Sequence, residues 1–208
     1  MYKRQVKTYY GIDIQLMVYM EAAMKLVAKM RPGKNVIPAG VFYYNISDPI
    51  VSATTESAEE IEDKIKGELR LKGMVNSDKD IAEKMDNTEG TSLNIPVSRK
   101  ADGGFDSRRS KVMNTEQFNM LGRFVDVRAV DTADRIAGGD IRRSPYKDGQ
   151  FSSCDRCPYG AVCGFSVDLP GCNYRKLKKF DDEVLWNNIE EGVDENGKKM
   201  DTGAEERD

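Results

Sequence analysis

All four cysteines of this 208-residue chain fall between positions 154 and 172, with two, five and eight residues between neighbours, and the chain contains no histidine. A two-residue gap puts Cys154 and Cys157 on one turn, where both thiolates can face one metal or one cluster. The N-terminus lacks the apolar stretch of a secretory signal, and no apolar run approaches the roughly 18 residues a membrane helix needs. A cytoplasmic chain with no membrane span is therefore expected, and there such clustering argues for metal rather than disulfides. Thiolates alone suit either tetrahedral zinc or an iron–sulfur cluster. Without histidine, Ser-His-Asp and Cys-His triads and imidazole-bound metals are excluded. Chemistry is left to carboxylates, lysine, tyrosine and thiols.

The length suits one folded body with a real core, placed at residues 1–189, and the charge-rich stretch 190–208 reads as a disordered acidic tail. With 32 basic and 35 acidic residues, the overall charge carries no nucleic-acid signature, so any DNA-binding face must be local. Two basic patches qualify. One comprises Arg99, Lys100, Arg108, Arg109 and Lys111; the other is the stretch 140–180, with eight basic residues against four acidic ones.

Leu16, Tyr19, Met20, Ala23, Val27 and Met30 recur at three- and four-residue steps, predicting a helix from Ile12 to Met30 closed by Pro32 and Gly33. A buried strand is expected over Ala39 to Ile46. An amphipathic helix follows over Glu56 to Leu71, with Glu60/Lys64 and Glu62/Lys66 paired outside. A short helix over Ser77 to Met85, a strand near Leu93 to Val97 and a hairpin at Ala101 to Gly104 come next. Asn114 or Thr115 should cap a long helix whose apolar face runs from Phe118 through Leu121, Phe124, Val125, Ala129 and Thr132 to Ile136, stopped by Gly138 and Gly139. A short strand near Ile141 to Arg143 then leads to the cysteines. Asp126, Asp131, Asp134 and Asp140 read as a solvated face rather than an acidic site.

Gln15 and Tyr19, four apart, share one helix face. That pair, followed far downstream by the two-then-five cysteine spacing after Pro145 and Tyr146, resembles the RecB-like iron–sulfur nucleases of the kind found in AddB-type subunits of bacterial helicase-deoxyribonucleases. The strand over Ile37 to Tyr44 with Asp48 and Pro49, the segment Lys72 to Val75 and the run Arg108 to Val112 before a helix are similar too. The likeness extends to about Ile189.

The resemblance implies an α/β fold of the restriction-endonuclease-like, PD-(D/E)XK kind, with helical insertions and a C-terminal cysteine cluster. It implies Gln15 and Tyr19 as active-site residues, and Cys154, Cys157 and Cys163 as three ligands of a 4Fe-4S cluster. In that family the fourth cysteine lies far upstream. None exists here, which leaves Cys172 as either a local substitute or a bystander. Mg²⁺ in the intact domain, DNA as substrate and an AddA-type partner are implied as well. The family's metal-binding carboxylates precede the glutamine helix, yet no acidic residue precedes Asp13 here, and Lys7 lacks a partner carboxylate. The chain therefore reads as an N-terminally truncated piece of a larger protein, inactive alone, with an incomplete sheet edge. Two other readings are a CRISPR-associated RecB-like nuclease and a non-catalytic four-cysteine zinc module binding nucleic acid.

Overall fold

The computed structural model of the protein describes residues 2–51 and 57–193, which group into two compact units. The first covers residues 13–125 and the second residues 2–12 together with the chain from Asp126 onward. The expected tail from 194 onward, and Glu56 of the expected amphipathic helix, lie outside the described residues.

In the first unit, helix α2 (Gln15–Met30) is followed by strand β1 (Gly40–Tyr43), helix α3 (Ala58–Leu69), strand β2 (Lys72–Asn76), helix α4 (Lys79–Met85), strand β3 (Val112–Met113) and the start of helix α5 (Thr115–Ala137). The sheet has the order β1-β2-β3. β1 runs antiparallel to β2, with Gly40 opposite Val75 and Tyr43 opposite Lys72, and β3 joins β2 in parallel with Val75 opposite Val112. Gly73 is required where the strands meet, because a Cβ there would lie 1.9 Å from the carbonyl oxygen of Val41. Val75, Ala82, Ile95 and Val97 form the buried centre, with Phe42, Leu71, Met85, Phe105 and Val112 packed around it.

Three helix starts in this unit have a local cause. Ser57 and Glu60 close a reciprocal capping box on α3, and Lys66 meets Glu62 at 2.8 Å on its outside. Asp78 accepts from the amides of Asp80 and Ile81 at the head of α4. Asn114 and Gln117 exchange side-chain and backbone hydrogen bonds at the start of α5. Asn76 is a buried hub: its amide donates to Pro38 O at 2.8 Å and to the Thr115 hydroxyl at 2.9 Å, while its oxygen accepts from Asp78 N. This one side chain ties the approach to β1, the end of β2 and the head of α5 together.

The second unit holds helix α1 (Tyr2–Tyr9), the rest of α5, strands β4 (Tyr146–Asp148) and β5 (Phe151–Ser152), helix α6 (Gly160–Cys163), strand β6 (Arg175–Lys176) and helix α7 (Asp182–Glu191). Its sheet has the order β5-β4-β6. Val6, Leu185 and Ile189 are buried, and Tyr9, Tyr10 and Phe180 pack as an aromatic cluster.

Several expectations need correction. Helix α2 begins at Gln15 rather than Ile12, because Gly11, at φ 74°, ends α1 in the left-handed region and residues between the helices form a turn. The segment Leu93 to Val97 is not a strand: the amides of Asn94 and Ile95 both donate to the Ser92 hydroxyl, which bends the chain. Ile141 to Arg143 is no strand either, since Asp140 captures both the amide and the guanidinium of Arg142, and pairing starts at Tyr146. The apolar face of α5 is buried only at its first half: Phe118, Leu121, Phe124 and Val125 are buried, whereas Ile136 is 71% exposed. Residues 190 and 191, expected in the tail, close helix α7.

Asp86 organises the bend. Its carboxylate accepts from Thr88 N at 2.7 Å, the Ser92 hydroxyl at 2.7 Å and the Asn94 amide at 3.0 Å. Burial opposes its charge, but these donors outweigh burial and hold the carboxyl well below the usual carboxylate range. A depressed folded pKa means that the contribution to stability is fully present above the unfolded value of about 4 and is lost as pH falls below it. Asp86→Asn should therefore destabilise the chain at pH 7 and flatten its acid unfolding below about pH 4. Urea midpoints measured from pH 7 down to pH 3 check this; parallel wild-type and variant curves would count against it.

Candidate functional site

Helix α2 turns Met17 and Met20 into the first unit and leaves Gln15 and Tyr19 on its outer face, where Tyr19 is 59% exposed. The Gln15 amide donates to the Tyr19 hydroxyl at 2.9 Å, so the pair sits on one face as its spacing requires. The hydroxyl retains its own proton to donate to an incoming oxygen, and the Gln15 carbonyl can accept. Neither group needs a further shift of the backbone to reach solvent.

A second polar pair lies in the same unit. The Tyr43 hydroxyl, at the end of β1, donates to Asp13 at 2.9 Å, two residues before Gln15. Sequence reasoning gave Asp13 no role. Its only signal was position, being the first carboxylate of the chain. Lys7 stands on helix α1 in the second unit, 4.0 Å from the carboxylate of Asp148 at the end of β4. Asp131, expected on a solvated face, is buried, and Asp140 is clasped by Arg142 and Arg135 at 2.9 and 2.7 Å. Those guanidinium hydrogen bonds, from Arg142 first and Arg135 next, keep the Asp140 carboxyl well below the ordinary range.

The four cysteines are free thiols on a loop-rich segment of the second unit. Cys157 N donates to Cys154 O at 3.1 Å, closing the expected tight turn, and the Asp155 carboxylate fixes its lead-in by accepting from the amide and hydroxyl of Ser152. Cys163 ends α6, followed by Gly164 at φ 61°, and its carbonyl accepts from Arg143 at 3.0 Å. Tyr159, Val162 and Val167 are exposed around it. As a donor set, adjacent soft thiols fit an iron–sulfur cluster or zinc. Among the described residues, however, no three Cys, Asp or Glu side chains are gathered into a metal-holding group, at the cysteines or elsewhere. Ligation of a cluster would have to draw the thiols inward.

The first basic patch is partly used by the fold itself. Arg99 serves the fold, donating to the carbonyls of Thr88 and Asp86, as Arg70 does to Ile95 and Val97. Lys100, Arg108, Arg109 and Lys111 remain exposed. Among the described residues no helix is long and apolar enough to cross a membrane.

Comparison with known proteins gives a consistent neighbourhood. The profile of the PD-(D/E)XK nuclease superfamily matches residues 2–164. The B subunit of the ATP-dependent helicase/deoxyribonuclease of Thermoanaerobacter sp. (strain X514) is 35% identical over 195 residues, covering 93% of this chain and 17% of that protein. The proteins of the same name from Caldanaerobacter subterraneus subsp. tengcongensis and Lachnoclostridium phytofermentans are 37% and 36% identical over 94% and 95% of this chain. The chain spans less than a fifth of the length of these relatives, at 17 to 18%.

Proposed function

Because the chain belongs to the PD-(D/E)XK nuclease superfamily, with its restriction-endonuclease-like α/β fold, we propose that it serves as part of the deoxyribonuclease domain of an AddB-type helicase/deoxyribonuclease. In that reading it acts in the cytoplasm with an AddA-type partner, trimming double-strand DNA ends for recombinational repair. The observation that carries it is the exposed, mutually hydrogen-bonded pair Gln15 and Tyr19, on the helix where this family places its DNA-facing glutamine and tyrosine.

Gln15 and Tyr19 bind and orient the DNA strand, the phenol donating to a phosphate or sugar oxygen and the amide fixing the phenol's direction. Mg²⁺, when bound by the carboxylates of an intact domain, supplies the charge stabilisation that phosphodiester cleavage needs. The described residues gather no carboxylate set for it, so a polypeptide of these 208 residues should bind but not cut. Cys154, Cys157 and Cys163 are the proposed protein ligands of a 4Fe-4S cluster, whose part is to hold the cysteine segment together rather than to react with DNA.

The purified chain should retain a labelled linear duplex without degrading it in Mg²⁺. Tyr19→Phe should weaken binding severalfold, in line with the loss of one hydrogen bond worth about 1 kcal/mol. Cleavage by the wild-type chain alone would refute the inactivity. Unchanged binding by both Tyr19→Phe and Gln15→Ala would remove the pair from the DNA interface.

A further inference from the structure

In the first unit, the run from Ser107 to Asn114 carries Arg108, Arg109 and Lys111 and no acid. All three cations are exposed, and among the described residues none of their side chains closes a hydrogen bond or an ion pair. Two acids precede the run, and both carboxylates are turned onto local backbone. Asp102 accepts from Gly104 N at 2.8 Å, and Asp106 accepts from the amides of Arg108 and Arg109 at 2.8 and 3.2 Å. Asp106 therefore shapes the turn that presents the two arginines instead of pairing with their guanidiniums.

The loop is a fixed platform. Ser98 N donates to the Ser110 hydroxyl at 2.9 Å, and that hydroxyl donates to Ser98 O at 3.0 Å. Asp106 N donates to Ser98 O, Ser110 N to Asp106 O and Lys111 N to Pro96 O, each at 2.8 Å. Ser110 is buried, and the alternation of the chain entering β3 turns its neighbours Arg109 and Lys111 outward. Lys100, exposed at the tip of the hairpin closed by Arg99 and Phe105, extends the positive surface. Like charges held side by side without a counter-ion repel one another, and a polyanion relieves that repulsion. Two arginine forks beside a lysine suit phosphate, which accepts from a guanidinium in pairs and from an ammonium as a point charge.

We propose that Arg108, Arg109 and Lys111, with Lys100 beyond them, form a surface that holds the sugar–phosphate backbone of duplex DNA without reading its sequence. The polyanion surface stands on the charge arrangement alone. The choice of DNA as its partner rests on the nuclease reading above.

Binding of a labelled linear duplex to the 208-residue chain is followed by fluorescence anisotropy over a sodium chloride series without Mg²⁺. Each phosphate neutralised contributes about 0.9 to the slope of log affinity against log salt, so Arg108→Gln/Arg109→Gln should lower that slope by about two. Affinity at about 0.1 M salt should fall more than about tenfold, equally for duplexes of unrelated sequence. Lys111→Gln alone should lower the slope by about one, which keeps the test open if the double variant misfolds. Arg108→Lys/Arg109→Lys should keep the wild-type slope, because counterion release needs only the charge. Lys64→Gln/Lys66→Gln on α3 removes the same charge elsewhere in the unit and should leave the slope unchanged. Duplex binding whose slope ignores the loop variants overturns the surface and leaves the nuclease reading standing. An equal loss in the α3 variant makes the effect one of net charge and overturns the surface as well. Failure of the wild-type chain to bind duplex even at low salt overturns DNA as the partner, and with it the reading above.

Discussion

Phe118→Ala lowers the stability of the chain by about 3–5 kcal/mol, the range for truncating a fully enclosed aromatic side chain. Phe118 is 0% exposed and begins the stripe continued by Leu121, Phe124 and Val125, all equally enclosed. A domain is stable by only about 5–15 kcal/mol in total, so this one change removes a large share of the margin. The same stretch of α5 meets α2: a Cβ at Gly122 would fall 1.9 Å from the Glu21 carboxylate oxygen. Loosening α5 therefore loosens the support of the helix that carries Gln15 and Tyr19. Ile136→Ala, at a position 71% exposed on the same helix, is the control and should stay within about 0.5 kcal/mol of wild type. Urea unfolding followed by circular dichroism separates the two, and equal midpoints would show that the first half of α5 is not core.

What the sequence made legible was what local chemistry decides. The cap at Asn114, the three- and four-residue periodicity of α2 and α5, and the turn at Cys154 to Cys157 each act within a few positions of themselves. Gln15 and Tyr19 belong with these, since a four-residue step on a helix brings two side chains together whatever surrounds them. Misread segments depend on partners distant in sequence or on polar side chains that divert the backbone. Ser92 takes the amides that a strand at Leu93 to Val97 would have offered, and Asp140 does the same to Arg142. Helix α1 was missed because its signals are weak: Gly11 ends it, but few apolar positions mark its face. Arg99 looked like a DNA contact because no pattern reveals that its guanidinium is occupied by Thr88 and Asp86 carbonyls across the loop. Charge type is readable in sequence; whether a charge is already satisfied is a tertiary fact.

Substituting serine at Cys154, Cys157 or Cys163 should each reduce bound iron in the anaerobically purified chain to background. The local backbone is already arranged for this: a closed turn at Cys154 and Cys157, and a short helix ending in Cys163 whose carbonyl is held by Arg143. The side chains themselves are not gathered into one coordination shell among the described residues. In the cluster reading proposed above, the metal would close that shell, and the free energy of thiolate binding would then become folding free energy of the segment. Iron and sulfide in near-equal amounts, with absorption near about 400 nm, should accompany protection of residues 150–175 from proteolysis, and both should vanish together on chelation or in the three variants. Cys172→Ser decides the open question: loss of iron makes Cys172 the local fourth ligand, whereas retention makes it a bystander and requires a ligand from elsewhere. Stoichiometric zinc held by all four thiols would sink the iron–sulfur assignment, since a closed Cys₄ zinc site needs every one of them and leaves the segment a structural binding module.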